Sequence, residues 1–239
     1  MKDVLKVGII VADTCEYEPV QEYAEDYLAE RRDFYSRMGH AFKIAGDRGI
    51  IEVQTVLCGI GMVNAAAAAA WLANECDIII NTGFSGGLWG CEPGDVVAGE
   101  QYIEHDFDLT GIGYEPGMKP DQASVYECDY TLMNYFCNIA PEIKCGVMAS
   151  GDHFVCDDAE AAKIKRLWNA MACDMESAAA AYVANLAGKR FIAIRQISDS
   201  ADSDAADTYN ESKEQCNKSA FQIVSEGLEG FFDVEELWN

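Results

Sequence analysis

The sequence predicts an α/β fold in which a central mixed, partly parallel β-sheet is flanked by helices. Two observations along the 239 residues indicate this class: short apolar runs rich in β-branched residues recur, and stretches of helical character separate most of them. Strands that alternate with helices are typical of a sheet with helices packed on its faces. Because no linker-like tract, repeat or block of like charge divides the chain, we expect one domain over residues 1–239.

The apolar runs are interpreted as the strands of this sheet, several of them buried on both faces. In chain order they cover residues 6–11, 51–56, 77–81, 94–97, 146–148 and 190–194. In an open α/β sheet, ligand-binding groups gather beyond the carboxyl ends of the strands. The residues that follow each run are therefore the candidates for a functional site.

Helices are expected between and after these strands. They cover residues 17–36, 64–76, 130–138, 157–168, 175–187 and 211–232. Asn64 is a favoured N-cap, and the alanines at 65–70 combine high helix propensity with small side chains, so this helix can pack closely on the sheet. The helix at 175–187 is similar, and Gly188 provides its stop signal.

The charge balance excludes two classes of partner. Lys and Arg number 17 against 41 Asp and Glu, which gives a formal net charge of −24. Such a field repels polyphosphate backbones and anionic lipid surfaces, so neither a nucleic-acid-binding nor a membrane-binding protein is expected. No apolar run approaches the roughly 18 residues of a membrane span, and the charged opening residues are unlike a secretory leader. We therefore expect a cytoplasmic protein.

The cysteines and histidines do not form a metal-binding pattern. Ten cysteines are spread over the chain, and the two nearest in sequence, Cys137 and Cys145, are eight positions apart. This spacing removes the C-x-x-C pattern of zinc and redox sites, and only three histidines are present. We expect reduced, mostly packed thiols, no metal site and no cofactor.

Acidic residues adjoin three of the predicted elements. Glu16 lies after the first strand, Glu176 lies at the start of an Ala-rich helix, and Asp199 lies after the last strand. With 41 acids in the chain, most carboxylates are expected to be solvated, so position decides between them. Asp199 directly follows an apolar strand, where partial burial would raise its pKa and allow it to donate a proton near neutral pH.

Two clusters of glycine lie after strands. The first, at 58–64, has Asn64 in place of the third glycine of a dinucleotide-binding motif, so it predicts only a strand-to-helix turn. The second, at 83–87, matches the G-x-S-x-G nucleophile elbow of serine hydrolases, with Ser85 as nucleophile and His105 or His153 as base. An elbow serine must open a helix, whereas four glycines and a proline lie within residues 86–94. A loop whose backbone amides approach a ligand fits better, and the serine hydrolase is the rival interpretation.

Two further segments carry candidate ligand contacts. Phe154 follows the strand at 146–148 at the lip of a turn, where an aromatic ring can stack on a planar ligand; a buried core phenylalanine is the alternative. The segment with Asp202, Asp204 and Asp207 lacks the central glycine and the final glutamate of a calcium loop, so it is interpreted as a solvated loop.

Nine short motifs follow one another over nearly the whole chain. They are Gly8-Ile9-Ile10 with Glu16, Gly59-Ile60-Gly61 with Val63-Asn64-Ala65, Asn81-Thr82-Gly83 with Gly86-Gly87-Leu88, Gly94-Asp95-Val96-Val97, His105-Asp106-Phe107-Asp108, Gly113-Tyr114, Ser150-Gly151-Asp152 with Phe154, Asp174-Met175-Glu176 with Ser177-Ala178, and Arg195 with Ile197-Ser198-Asp199 and Ala201-Asp202. In this order they resemble the nucleoside phosphorylase superfamily, and most closely its 5′-methylthioadenosine/S-adenosylhomocysteine nucleosidase branch.

The resemblance implies that water cleaves the bond between adenine and a 5′-thioribose. By this resemblance Asp199 protonates the departing adenine, Glu16 positions and deprotonates the water, and Glu176 holds the ribose hydroxyls. Breaking an N-glycosidic bond builds positive charge on the sugar and negative charge on the base. A proton donor at the base and anions near the ribose both stabilise that transition state.

The resemblance also implies the binding residues and a second subunit. Phe154 would stack on the adenine, Val155 would offer backbone contacts to its edge, and Met175 would lie beneath the ribose. The other implied substrate-binding positions are Ile60, Phe84 and Ser85. A loop from the partner subunit covers the 5′ tail in this family and corresponds to Ile112, Tyr114 and Pro120, so a homodimer is implied.

Three positions depart from the family pattern. Phe84 stands where a small hydroxyl residue is usual, with Ser85 one place later. Glu18 lies two residues from Glu16 and is the alternative base. Residues 118–120 read Met-Lys-Pro where the family often has glutamine before its proline.

Two other functions remain open. A phosphorylase on the same scaffold would need several cations around its phosphate, whereas Arg195 is the one arginine of seven in a matched motif, and Glu16 would repel the anion. A nucleoside-binding protein without catalysis would keep Phe154 and Glu176 but would not need Asp199.

Overall fold

A computed structural model describes residues 3–214 and 219–239 and contains a ten-stranded mixed sheet with helices against it. The strands are β1 Val4–Val11, β2 Glu30–Arg31, β3 Gly39–Gly46, β4 Gly49–Leu57, β5 Ile78–Gly87, β6 Val96–Glu104, β7 Val125–Glu127, β8 Lys144–Ser150, β9 Ala172–Asp174 and β10 Arg190–Asp199. The predicted α/β class with a mixed, partly parallel sheet is confirmed.

The strand order explains how distant residues meet. The order is β10-β6-β8-β9-β5-β1-β4-β3-β2, β7 pairs with β6, and β5 also pairs with β10. The pairs β1–β4, β1–β5 and β5–β10 are parallel, so the carboxyl ends of β10, β5, β1 and β4 lie side by side in that order. The additional β5–β10 pairing closes β5, β10, β6, β8 and β9 into a ring, which the sequence pattern did not predict.

The described α-helices are α1 Thr14–Asp26, α2 Met62–Ala73, α3 Tyr130–Ile139, α4 Asp158–Trp168, α5 Ser177–Leu186, α6 Ala205–Glu214 and α7 Ser219–Gly230. Helices α2 and α5 pack against each other, and their buried alanines allow the close approach that the sequence predicts. Helix α2 also packs on β1: a Cβ atom at Gly8 would lie 2.9 Å from Leu72 Cδ1, so a larger residue there would push Leu72 away from the strand. Among these described helices, none is both long and apolar enough to cross a bilayer.

Three predicted helix boundaries were wrong. Helix α1 ends at Asp26 rather than 36, because the chain turns at Leu28 (φ 55°) and continues into the short strand β2. Helix α2 begins two residues before Asn64, with Gly61 (φ 107°) at its N-cap, and the Asn64 amide instead donates to the carbonyl oxygen of Ile60 at 2.7 Å.

The third error concerns the predicted helix at 211–232. Helix α6 already begins at Ala205, within the segment interpreted as a solvated loop, and helix α7 ends at Gly230. Residues 215–218 of the predicted helix lie outside the described residues. Strands β2, β3, β7 and β9 were not predicted, since they are short or mix polar with apolar residues.

Candidate active site

A cavity of about 220 Å³ opens at the carboxyl ends of β1, β5, β9 and β10. Its walls are formed by Ala12, Asp13, Glu16, Ile60, Phe84, Ser85, Gly86, Phe154, Cys173, Asp174, Met175, Glu176, Ser198, Asp199 and Tyr209. A larger groove of about 610 Å³ lies over β2 and β3, but its charged side chains are exposed and form surface ion pairs such as Lys43 with Glu52. The smaller cavity is the candidate active site, because the buried carboxyl groups converge there.

Glu16 is fixed by the first turn of α1. Asp13 caps this helix, and its backbone N–H donates to Glu16 Oε2 at 3.0 Å, while the backbone N–H of Phe84 donates to Glu16 Oε1 at 2.7 Å. Burial raises the pKa of Glu16 to about 7; Arg195 opposes this shift and Glu176 adds to it. Glu18 is exposed and does not line the cavity.

The glycine of the Asn-Thr-Gly motif has a steric role beside Glu16. Gly83 has φ +148°, and a Cβ atom there would lie 2.7 Å from the Glu16 carboxyl carbon. Any larger residue would displace this carboxylate, so it is strand β5, and not the loop predicted at 83–87, that approaches it through its backbone.

Glu176 is held by a buried arginine. Arg195 lies on β10, is 1% exposed, and its Nη2 donates to Glu176 Oε2 at 2.7 Å. The backbone N–H of Gly61 donates to the other oxygen, Oε1, at 3.0 Å. Burial raises the pKa of Glu176, although Arg195 opposes the shift. Arg195 also pairs with Asp174 at 3.3 Å, so its charge is already shared by two carboxylates.

Asp199 lies at the end of β10 and is 1% exposed. Ser198 Oγ lies 2.7 Å from Asp199 Oδ2, and the backbone N–H of Ala201 donates to Oδ1 at 2.9 Å. Burial raises the pKa of Asp199 in spite of these hydrogen bonds. The carboxyl group therefore resists ionisation, which is what a proton donor needs near neutral pH.

Aromatic rings form the apolar side of the cavity. The Phe154 and Tyr209 rings lie 5.7 Å apart at 64°, and the Phe84 and Tyr209 rings lie 6.2 Å apart at 82°. Phe154 is 38% exposed, so it is a lip residue rather than a core phenylalanine. Met175 and Ile60 complete this apolar lining.

Tyr209 was missed by the sequence analysis. It lies on α6, in the segment whose aspartates were compared with a calcium loop. A usable signal was present, because Asp207 falls in the first turn of α6, where acidic residues favour a helix N-terminus.

Val155 and Ser85 each border a cavity that Asp199 also borders. Val155 borders a small adjoining cavity of about 30 Å³ that also contacts Asp199 and Cys173. Ser85 lies inside β5, which continues to Gly87, so it does not occupy a strand-to-helix elbow. Its Oγ accepts a hydrogen bond from Arg195 Nε at 3.2 Å, and this geometry argues against the serine hydrolase.

The three tail residues lie between β6 and β7. Ile112, Tyr114 and Pro120 do not line the cavity of their own chain, and Ile112 is 72% exposed. Their assignment to a partner's site therefore stays a prediction. Across residues 3–214 and 219–239, no three His, Cys, Asp or Glu side chains are placed to hold a metal ion.

The fold and this cavity match one class of protein. The chain belongs to the phosphorylase superfamily, whose family model matches residues 6–229. Within that superfamily it belongs to the 5′-methylthioadenosine/S-adenosylhomocysteine nucleosidase family, and the predicted resemblance is confirmed. The nucleosidase of Desulfotalea psychrophila is 33% identical over 236 residues, which cover 94% of this chain and 97% of that protein.

Solved structures agree with this relationship. The nucleosidase of Neisseria meningitidis in complex with methylthio-immucillin-A superposes with a TM-score of 0.85 at 32% identity, covering 94% of this chain and 99% of that chain. The S-adenosylhomocysteine nucleosidase of Streptococcus pyogenes, in complex with 5-methylthiotubericidin, gives a TM-score of 0.86 at 30% identity and covers 95% and 97%.

Proposed function

We propose that this chain hydrolyses the N-glycosidic bond of 5′-methylthioadenosine and S-adenosylhomocysteine, releasing adenine and the thioribose. The observation that carries the proposal is the convergence of Glu16, Glu176 and Asp199 on one cavity with an aromatic wall. Two relatives named for this activity are 33% and 32% identical to this chain, and their alignments span 94% and 92% of it.

The base is assigned to the Asp199 end of the cavity. Phe154 offers a ring face for stacking, and Val155 borders the small adjoining cavity, so its backbone is the candidate partner for the adenine edge. Burial raises the pKa of Asp199 and so favours its protonated form, which is the form that donates to the five-membered ring of the base as the bond breaks. Protonation neutralises the negative charge that develops on the leaving group.

The sugar is assigned to the centre of the cavity. Glu176 is fixed by Arg195 and by the N–H of Gly61, and it is the acceptor for the ribose hydroxyls, with Met175 beneath the ring. Its negative charge stabilises the positive charge that develops on the sugar. Glu16 faces the same space and, once ionised, orients and deprotonates the attacking water.

Water is favoured over phosphate as the nucleophile. Arg195 is buried and already pairs with Asp174 and Glu176, so its charge is not available to a phosphate anion. Lys213, on α6, pairs with Asp13 at 2.8 Å. Within the described part of the chain, a phosphate beside Glu16 would face that carboxylate while Arg195 and Lys213 are both already paired with acids.

Product analysis tests the proposal. The chain is incubated with methylthioadenosine, S-adenosylhomocysteine or inosine, with and without phosphate, and the products are separated. We expect adenine and free thioribose in both conditions, with inosine cleaved last. Release that requires phosphate and yields the sugar 1-phosphate would establish the phosphorylase instead, and tight nucleoside binding without turnover would establish a binding protein.

A substitution at Asp199 tests its assignment as the acid. Asp199→Asn removes the transferable proton, and we expect kcat to fall by about 10²–10⁴. Asp204→Asn, at an exposed position on the same segment, is the matched control and keeps wild-type turnover. Wild-type turnover by Asp199→Asn would reject the acid assignment while leaving the hydrolysis itself intact.

A further inference from the structure

The direction in which a substrate tail leaves the cavity follows from the strand order. Asp199 ends β10, and Ile60 lies in the loop after β4. With β5 and β1 between them, β10 and β4 are three strand spacings apart, about 14 Å. A nucleoside whose base lies at Asp199 therefore directs its 5′ substituent past Ile60, which is 50% exposed at this end.

An arginine lies at this far end. Arg37 precedes β3, the neighbour of β4, and its guanidinium packs over the backbone of Gly59: the nearest atoms lie 3.1 Å from the Cβ position of that glycine. Gly59 has φ +91° and is followed directly by Ile60. The guanidinium is thus one residue away from the lining of the cavity.

The turn that carries Arg37 is anchored. Backbone hydrogen bonds of 2.9 and 2.8 Å join Phe34 and Arg37 in both directions. Phe34 is buried with its ring centroid 5.2 Å from that of Trp71 on α2, and Arg32 pairs with Glu75 beyond the same helix. The base of the Arg37 side chain is therefore held in place, while its exposed guanidinium can turn toward a ligand.

The charge of Arg37 is not paired with an acidic group of the described residues. Within residues 3–214 and 219–239, no ion pair and no hydrogen bond involves its guanidinium, although acids outnumber basic residues in the chain by 41 to 17. The other cations near the cavity, Arg195 and Lys213, are both paired with carboxylates. An anionic substituent that leaves past Ile60 meets Arg37, which is the unpaired cation of this rim among the residues that the structure describes.

We propose that Arg37 binds the α-carboxylate of an amino-acid tail and thereby raises the preference of this enzyme for S-adenosylhomocysteine over methylthioadenosine. The inference rests on the proposed function, because it requires a 5′-thioadenosine in the cavity. A guanidinium can hold a carboxylate through two parallel N–H donors, and this geometry is specific for the planar anion. The methylthio tail has no charged group and gains nothing from Arg37.

The test compares ratios of kcat/KM. Arg37→Ala, Arg37→Lys and Arg37→Glu are assayed with three substrates: S-adenosylhomocysteine, methylthioadenosine, and 5′-S-(3-aminopropyl)-5′-thioadenosine, which is the first substrate without its carboxylate. For Arg37→Ala we expect the ratio of adenosylhomocysteine to methylthioadenosine to fall about 10-fold, as for loss of a charge-assisted hydrogen bond. The same ratio should fall less in Arg37→Lys and more in Arg37→Glu.

The decarboxylated substrate identifies the group that is recognised. The ratio of adenosylhomocysteine to this analogue should also fall about 10-fold in Arg37→Ala, and both effects should shrink as ionic strength rises. Arg166→Ala, at an exposed arginine on α4, is the matched control and keeps the wild-type ratios.

The outcomes separate the two proposals. If the wild type cleaves neither thioadenosine, the proposed function is wrong. If it cleaves both and Arg37→Ala keeps the wild-type ratios, the function stands and the role of Arg37 is rejected. If the ratio to methylthioadenosine falls while the ratio to the decarboxylated analogue does not, Arg37 recognises a part of the tail other than the carboxylate, and the proposal is also rejected.

Discussion

The Glu16 carboxyl group accepts hydrogen bonds from two backbone N–H groups and nevertheless resists ionisation. Two such donors ordinarily favour the carboxylate, yet desolvation outweighs them and the nearby Glu176 adds repulsion. Glu16 is thus a candidate general base with a pKa of about 7, close to the pH at which the enzyme would work. The same shift has a consequence for stability.

Burial of Glu16 should make the protein less stable as pH rises. The folded-state pKa of about 7 lies above the ordinary 4.5, so the native state binds the proton more tightly than the unfolded state. The resulting stabilisation is complete below about pH 4.5 and is lost as pH rises through 7; it amounts to about 3 kcal/mol at most. Glu16→Gln removes this dependence, so the variant should gain stability relative to wild type between pH 5 and pH 8.

Urea unfolding at pH 5, 6, 7 and 8 measures this difference. A glutamine amide loses one of the two backbone hydrogen bonds, but that cost is the same at every pH, so the slope is the diagnostic quantity. Glu142→Gln, at an exposed position between α3 and β8, is the control for a change of charge alone. Parallel pH curves for wild type and Glu16→Gln would show that Glu16 is not desolvated in the folded protein.

At the scale of elements, α6 is the segment that completes the cavity. Lys213 pairs with Asp13 at 2.8 Å, and Ser212 Oγ donates to the carbonyl oxygen of Ser198 at 2.8 Å, so the helix bridges α1 and the end of β10. This attachment places the Tyr209 ring between Phe84 and Phe154. The helix therefore contributes apolar surface to a site whose chemistry comes from other elements.

Removing the Tyr209 ring should weaken substrate binding more than catalysis. Tyr209→Ala deletes both edge contacts with the neighbouring phenylalanines and the apolar face that a substrate would meet, so we expect KM to rise about 10-fold. Tyr209→Phe keeps the ring and should stay within about twofold of wild type. Steady-state kinetics with methylthioadenosine give KM and kcat for both variants.

The adjacent residue provides the control for this prediction. Asn210→Ala changes an exposed position of α6 and should leave KM unaltered. A fall in kcat at constant KM for Tyr209→Ala would place the ring in the transition state rather than in binding, contrary to the expectation.

The sequence predicted an element where one hydrophobic pattern, that of a strand or that of a helix, dominated. It did not predict the element where the two patterns competed. Strands β1, β4 and β10 each contain a run rich in apolar and β-branched residues, and these runs were found. Strand β3 alternates polar and apolar residues next to a helix-like segment, so it was absorbed into a loop. Glu16, Glu176 and Asp199 were found because each adjoins a strong element, whereas Tyr209 and Arg37 lie outside the predicted strands and helices.

At the scale of the molecule, the sheet is what brings the three carboxyl groups together. They are contributed by residues 16, 176 and 199, and the parallel pairing of β10, β5 and β1 places two of them at one edge. The short strand β9 brings the third, because it pairs with both β5 and β8 just before Glu176. This strand order cannot be deduced from any local sequence pattern. The sequence therefore predicts that the three carboxyl groups meet only through the family resemblance.

The last prediction concerns assembly, because the cavity is open where the substrate tail leaves. We expect a homodimer in which Ile112, Tyr114 and Pro120 of one copy cover the tail site of the other. Ile112 is 72% exposed and Met118 is 46% exposed on this segment, and apolar surface of this kind is stabilised by burial in an interface. Each copy has a formal charge of −24, so association should strengthen as salt screens the repulsion.

Ile112→Asp tests this arrangement. Sedimentation analysis should give a dimer for the wild type and a shift toward monomer for the variant, with kcat/KM for methylthioadenosine falling in parallel because the tail loses its cover. Leu28→Asp places the same charge at another exposed aliphatic residue, 91% accessible and next to β2, and should alter neither property. A wild-type monomer with full activity, or a dimeric Ile112→Asp with normal kinetics, would mean that the segment between β6 and β7 serves its own chain alone.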